Sequence, residues 1–407
     1  MEKMSKMKVL RDPIHDYIHV DLQVVWDCIN AKEFQRLRRI KQLGGAFQVY
    51  HTAEHTRFGH SLGVYEIVKR MVDEVEEIDE ALSSYEKKVV MLAGLLHDLG
   101  HFPFSHAFES VSGIKHEVYT VKIIEGNSEI HDILAKEHED LVRDVVQVIK
   151  KNHPRKLMNQ MISSQMDADR MDYLLRDAYF TGTKYGIYDL ERILRTMRVK
   201  NDEIVIKESG IHGVEDYIMA RYHMYWQVYF HPTCRSYEAM LSLLFKRLKD
   251  VCIENPAFIK QAEMFQFILL EEEMNVGQHY YFDEASCLYG FSCLSQSDDA
   301  ILKYLADSLM NRKLFAYCDL TSEQEFVQKQ DALNKHGFDA RYFLNKDNAT
   351  QRPYNPYSLN MNDGVMILMK DERILELSQA SVIVEGLMSA KQKHDPKMFY
   401  IKENGYK

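Results

Sequence analysis

Apolar residues along this chain recur chiefly at three- and four-residue intervals, the period of amphipathic helices. That spacing predicts helices in SLGVYEIVKRMVDEV (61–75), YEKKVVMLAGLLHD (85–98), EVYTVKIIEG (117–126), HEDLVRDVVQVIKK (138–151), MDADRMDYLLRDAYF (166–180) and YDLERILRTMRV (188–199). A longer run from Glu215 to Cys252 keeps the period throughout and reads as one helix. VVWDCINAKEFQRLRRIKQLG (24–44) reads as another, stopped by Gly44-Gly45. Because VVMLAGLL (89–96) is apolar on every side, its helix belongs in the middle of a bundle.

Alternation replaces this period in PIHDYIHVD (13–21) and VKNDEIVIKES (199–209), which read as small hairpins. After about residue 250 the pattern becomes mixed, with helices in FIKQAEMFQFILLEEEM (258–274) and SDDAILKYLADSLM (297–310) and strands in KLFAYCDL (313–320), DGVMILMK (363–370) and KMFYIK (397–402). The expected architecture is mainly α: a helical body over 1–250, then an α+β region over 251–407.

Composition narrows the function classes. A chain of 407 residues that is 46% hydrophobic can fill a sizeable core. Its 51 basic and 61 acidic residues leave a net charge of −10, so no global positive field draws polymeric nucleic acid, and any anionic ligand must meet a local cluster. The N-terminus lacks an apolar signal core and no run approaches a membrane span, so a cytoplasmic protein without membrane partners is expected. Cys28, Cys234, Cys252, Cys287, Cys293 and Cys318 form no C-x-x-C pair and read as reduced, mostly buried thiols.

Candidate chemistry concentrates in LLHDLGHFPFSH (95–106), where three histidines and an aspartate close the most apolar helix. A single histidine on an apolar face is more often a hydrogen-bonded core residue. His97-Asp98 with His101 one turn on is better explained by a divalent cation that compensates the carboxylate. Further ligands must come from elsewhere: His60, at the start of a helix just after Arg57, and an aspartate of MDADRMDYLLRDAYF. Asp167 and Asp172 compete with Asp169 for that role. Spacing favours Asp169, which shares one helix face with Tyr173 and Asp177; the alternative is a salt-bridged surface stripe with Arg170 and Arg176. Arg221, Tyr225 and Tyr229 form a second stripe, either core packing or a phosphate-facing side built around a guanidinium.

Together, RFGHSLGV (57–64), GLLHDLGHFPFSH (94–106) and DADRMDYLLRD (167–177) give the order H…HD…D. This set resembles the HD-domain metal phosphohydrolases. With RDPIHDYI, FQRLRRIKQLGG and TRFGHSLG it resembles, more narrowly, the deoxynucleoside triphosphate triphosphohydrolases, across Lys8 to Thr233 and more weakly at NRKLFAY (311–317).

The resemblance implies an HD-domain helical bundle with His60, His97, Asp98 and Asp169 as ligands of one Mn, Fe, Ni, Co or Zn ion. It places His106 and Arg57 at the α-phosphate and His101 and His116 as the acid/base pair near the departing 5′-oxygen. Arg170, Tyr173 and Arg221, with Mg²⁺, would grip the β- and γ-phosphates. Gln42 and Asp177 would bond the sugar 3′-OH, Leu43 and Tyr229 would crowd the 2′ position, and Tyr225 would stand near the base. The implied reaction takes a dNTP and water to deoxynucleoside and triphosphate.

A homotetramer with an activator nucleotide of the dGTP or GTP kind between subunits is implied as well, contacted by Lys8, Gln35, Arg38, Arg192 and Arg312. There Asn30 stands where the family carries a guanine-reading acid, and Pro232 and Ala316 stand where it carries lysines. Two other readings compete: an HD phosphohydrolase of another small phosphoester, and a metal-stapled nucleotide-sensing scaffold without turnover.

Overall fold

A computed structural model describes residues 3–104, 108–109, 115–269, 274–351, 354, 357–358, 361–362, 364–389 and 393–402. His106, and residues 270–273 of the segment 258–274, lie outside them. The fold is mainly α, with small sheets attached to a helical core.

The chain opens with a hairpin of strands Lys3–Asp12 and Asp16–Leu22, longer than the alternation at 13–21 predicts. Its first strand is largely charged and exposed, so no apolar alternation marks it. The Asp12 carboxylate makes the turn by accepting from the backbone of Ile14 (2.9 Å) and His15 (3.1 Å).

The single helix predicted over 24–44 is instead broken into Gln23–Asn30, Lys32–Arg36 and a 3₁₀ turn, Leu37–Arg39. Side chains satisfy the carbonyls at the break: Asn30 donates to Trp26 and Gln35 to Ile29, both at 2.7 Å. Gly44 follows in the left-handed region, at φ +47°.

Helices Arg57–Glu74, Ser84–Leu96 and Ala168–Thr181 form the centre of the bundle. Ser83 starts the second with a capping box to Glu86, and every side chain from Val89 to Leu96 is buried, as an all-apolar segment requires. The long helix predicted from Glu215 to Cys252 is two: Ile211–Met224 continues into a π turn, Tyr225–Tyr229, and a new helix, Pro232–Glu254, begins with proline in its first turn. Pro232 has no backbone N–H to continue the earlier ladder, and a helix start is where that loss costs least.

Beyond residue 250 the predicted helix at 258 is 3₁₀, over Pro256–Gln261 and Glu263–Leu269, whereas Ala300–Met310 is α. Helices Glu284–Leu294 and Glu323–Lys335 and strand Leu344–Gln351 were not read from the pattern. Strand Lys393–Tyr400 lies between Ala316–Asp319 and Leu344–Gln351, antiparallel to both.

The tail is not merely appended. Strand Met366–Leu368 pairs in parallel with Glu203–Lys207 of the second hairpin. Tyr354, Val365, Ile367, Leu377 and Val384 enter the first apolar core, while Phe102, Phe104, Phe108 and Tyr119 enter the second, built mostly from residues after Tyr237. All six cysteines are free thiols, four of them buried. Among the described residues, no helix is long and apolar enough to cross a membrane.

Candidate metal centre

Three helix ends bring the histidine and aspartate side chains together. His60 lies in the first turn of Arg57–Glu74, His97 follows Leu96 at the end of the buried helix, and Asp169 lies in the first turn of Ala168–Thr181. Asp169 Oδ1 stands 3.1 Å from His60 Nε2 and 3.8 Å from His97 Nε2. Asp98 spans the same gap, with Oδ1 3.3 Å from His97 Nε2 and Oδ2 3.7 Å from His60 Nε2.

Tautomers follow from the outer partners. His97 Nδ1–H donates to the Gly94 carbonyl (2.8 Å) and His60 Nδ1–H to Asp172 (2.8 Å), so both rings turn Nε2 inward. Both Nε2 atoms are buried and have no hydrogen-bond partner among the described residues. The ligand atoms of His60, His97 and Asp169 lie within 4.8 Å of one another and could hold a divalent ion, while Asp98 groups with His101 and His116 at the same reach and so stands between the two clusters.

Electrostatics agree with that fit. Burial lowers His60, yet the Asp169 and Asp172 carboxylates outweigh it and raise the ring from 6.5 to about 10. His97 is also raised, because Asp98 and Asp169 overcome its burial. Burial would raise Asp98 and Asp169; the neighbouring imidazoles, joined by Arg57 at Asp98, instead hold both below the usual carboxylate range. A cation entering the cage replaces protons that the His60 and His97 imidazoles otherwise retain beside these carboxylates.

Asp172 and Asp167 take other work. Asp172, fully buried, accepts from His60, from His15 Nε2 (2.7 Å) and from Arg176 Nε (2.8 Å) and Nη2 (2.9 Å). Arg176 in turn reaches Asp12 at 2.8 Å, so the stripe is no solvated surface, and RDPIHDYI supplies the outer support of a ligand. Sequence reasoning quoted that motif without assigning its Asp12 and His15 a task. Gly63 is needed here, because a Cβ on it would fall 1.8 Å from Asp172 Oδ1. Asp167 caps its helix by accepting from Arg170 N (2.7 Å) and pairs with the Arg170 guanidinium.

Around the cage, Arg57 pairs with Asp98, and His101 Nε2 lies 3.2 Å from Asp98 Oδ1. The His101 ring stacks on His116 with centroids 3.6 Å apart, and His116 Nδ1 bonds Glu109. Burial, Arg57 and His116 hold His101 well below its ordinary value.

Two turns along the Asp169 helix, Asp177 accepts from Tyr229 OH (2.8 Å) and bonds His55 Nε2 (2.8 Å). Tyr229 meets Tyr173 and Tyr225 edge-on, and Leu43 is half-buried. Gln42 anchors its backbone N–H on the His55 carbonyl (3.0 Å) while its side-chain Oε1 has no partner among the described residues. Arg170 and Arg221 converge on the turn at 164–167, Arg170 through the Ser164 carbonyl and Arg221 through Gln165 Oε1 (2.9 Å).

Another exposed face carries Lys8, which lies over the Trp26 ring, with Asn30, Gln35 and Arg38; Arg38 donates to Gln35 (2.9 Å) and covers Phe58. Arg192 and Arg312 make their contacts elsewhere, on the carbonyls of Ser209 and Gln48.

The HD domain family matches residues 57–177, the span from Arg57 to Asp177, and the HD associated region matches 188–278. An uncharacterised Bacillus subtilis protein, YwfO, is 44% identical over 98% of this chain and 94% of its own length. The chain belongs to the HD-domain family of metal-dependent phosphohydrolases. A Dictyostelium discoideum homologue of the deoxynucleoside triphosphate triphosphohydrolase SAMHD1 is 30% identical over 64% of this HD protein and 51% of its own length. A solved phosphohydrolase from Bacteroides thetaiotaomicron superposes with a TM-score of 0.84 at 28% identity, covering 98% of this chain and all of the other.

Proposed function

We propose that this HD phosphohydrolase is a dNTP triphosphohydrolase that converts a dNTP and water to a deoxynucleoside and inorganic triphosphate. The observation that carries the reading is one helix, Ala168–Thr181, which presents Asp169 to the cage and Asp177 to Tyr229 and to His55, whose carbonyl anchors Gln42, with Tyr173 between them. A substrate with a phosphoryl group at one end and a small hydroxylated ring at the other fits that order. The name of the Dictyostelium relative supports the same chemistry.

His60, His97, Asp98 and Asp169 would hold the divalent ion, which supplies a Lewis acid and a readily deprotonated water at the α-phosphorus. Arg57, fixed by Asp98, would lie against the α-phosphate with His106. The new bond joins water oxygen to the α-phosphorus, and the bond to the 5′-oxygen breaks. His101 and His116 move the protons, one taken from the water and one delivered to the 5′-oxygen, so that triphosphate leaves intact. Arg170 and Arg221 would exchange Asp167 and Gln165 for oxygens of the Mg²⁺-bound β- and γ-phosphates, with Tyr173 alongside; phosphoryl transfer depends on such positioning and charge neutralisation. Gln42 and Asp177 read the 3′-OH, and Leu43 and Tyr229 disfavour a 2′-OH, with Tyr225 beside the base.

The Lys8, Asn30, Gln35 and Arg38 face, joined by Arg192 and Arg312 from other subunits of a tetramer, is the proposed seat of an activating nucleotide. Product analysis tests the reaction: purified protein with Mn²⁺ and each dNTP, with GTP and dGTP added, should release equal amounts of deoxynucleoside and triphosphate. Orthophosphate or pyrophosphate as the product would point to another phosphoester reaction, and tight binding without product to a sensor.

A further inference from the structure

The short segment His279–Glu284 belongs to neither hairpin nor bundle, yet it touches the HD loop residue by residue. His279 Nε2–H donates to the Gly100 carbonyl (3.0 Å). Arg36, fully buried, bridges the carbonyls of His101 (2.8 Å) and Phe282 (2.6 Å). Glu284 Oε1 accepts from the backbone of both Phe104 (3.1 Å) and Lys41 (3.0 Å).

Phe104 is where such support is needed. Its φ of +59° is costly for a bulky residue and persists only when neighbours impose it. Its side chain is buried among Tyr237 and Phe291, and its carbonyl lies so close to Gly44 that a Cβ there would meet it at 3.1 Å.

We propose that Glu284 is a positioning residue, a latch by which the C-terminal part of the chain fixes the segment bearing Gln42 against the loop bearing His101. Its catalytic consequence rests on the triphosphohydrolase reading; its structural consequence does not. A shift of reacting groups by about 1 Å costs on the order of a hundredfold in rate. A latch that holds both a sugar contact and a proton-transfer group therefore acts on turnover more than on affinity.

The test uses full-length, Mn-loaded protein and compares Glu284→Ala and Glu284→Gln with the parent, by hydrogen exchange and by steady-state kinetics. The expected result for Glu284→Ala is exchange at least about tenfold faster in the peptides covering 41–44 and 99–104. Bound Mn should be unchanged, kcat should fall about tenfold or more, and KM should move less than about threefold. Glu284→Gln, which keeps an acceptor oxygen, should recover most of both effects. Unchanged local exchange in the alanine variant would overturn the latch. Equally faster exchange in Ser84–Leu96 would overturn it too, as would a glutamine variant no better than alanine. Should no dNTP be hydrolysed by the parent while local exchange responds as expected, the proposed reaction falls and the latch stands.

Discussion

Two buried carboxylates that support elements of the candidate metal centre are treated in opposite ways. Asp172 is surrounded by cation-capable groups, His15, His60 and Arg176, and is held well below the usual carboxylate range although burial works to raise it. Glu284 accepts from two backbone N–H groups, and burial pushes it from 4.5 up to about 7 against those donors and the charge of Arg36. Arg36, Cys287 and Tyr237 lie within electrostatic reach of Glu284, and Asp283, paired with Arg39, lies beside it. The lesson is that seclusion alone does not set a carboxylate's charge; the chemistry of its donors does. Asp172 is a fixed anion that aims the His60 ring, a proposed metal ligand. Glu284 is a geometric clamp that can take up a proton.

The largest effect should come from the cage that Asp172 supports. Asp169→Ala removes one of the four proposed ligands, and elemental analysis should find the metal lost, with turnover down on the order of a thousandfold or more. Retained metal would mean that the remaining three groups hold the ion without it.

Asp172→Asn comes next. It removes one of the two carboxylates that pair with buried Arg176 and leaves Asp12, which should cost on the order of 1 to 3 kcal/mol in denaturant unfolding. Metal affinity should drop about 10- to 100-fold through loosened aim of His60. If Asp172→Asn leaves both quantities unchanged, the contrast drawn above is false.

The pH dependence of Glu284 is smaller. The folded chain binds this proton more tightly than the unfolded chain, so the group's contribution is complete below about 4.5 and is lost as pH rises through about 7. That amounts to at most about 3 kcal/mol. Asp172 behaves in reverse, contributing fully above its ordinary value of 3.8 and losing that contribution in acid. Unfolding measured across pH 4 to 8 should therefore show a slope that Glu284→Gln removes; an unaltered slope would assign it to another group.

Smallest is Tyr229→Phe, which deletes the hydroxyl bonded to Asp177. About 1 kcal/mol of stability should go with it, together with some discrimination against ribonucleotides in competition assays.

How much of this could be read from the chain alone differs between the same two regions. The bundle was legible because VVMLAGLL has no polar face, and the cage because His60, His97-Asp98 and Asp169 keep a recognisable order. Asp172 was visible only as a rival to Asp169, since a three-residue spacing does not say which carboxylate meets Nε2 and which meets Nδ1. Glu284 gave no signal: an acidic pair before a helix is ordinary capping chemistry, and its partners are backbone atoms more than 170 residues earlier. The break between Tyr225 and Pro232 was hidden because apolar spacing resumes on its far side, although proline there marks a new helix.

The parallel pairing of Met366–Leu368 with Glu203–Lys207 bears on how this protein comes into being at the ribosome. A nascent chain halted before Val365 already possesses all four side chains proposed to bind the metal but lacks a strand and several plugs of the hydrophobic interior around them. The apolar interior around those side chains is therefore completed only once residues 365–384 have been made.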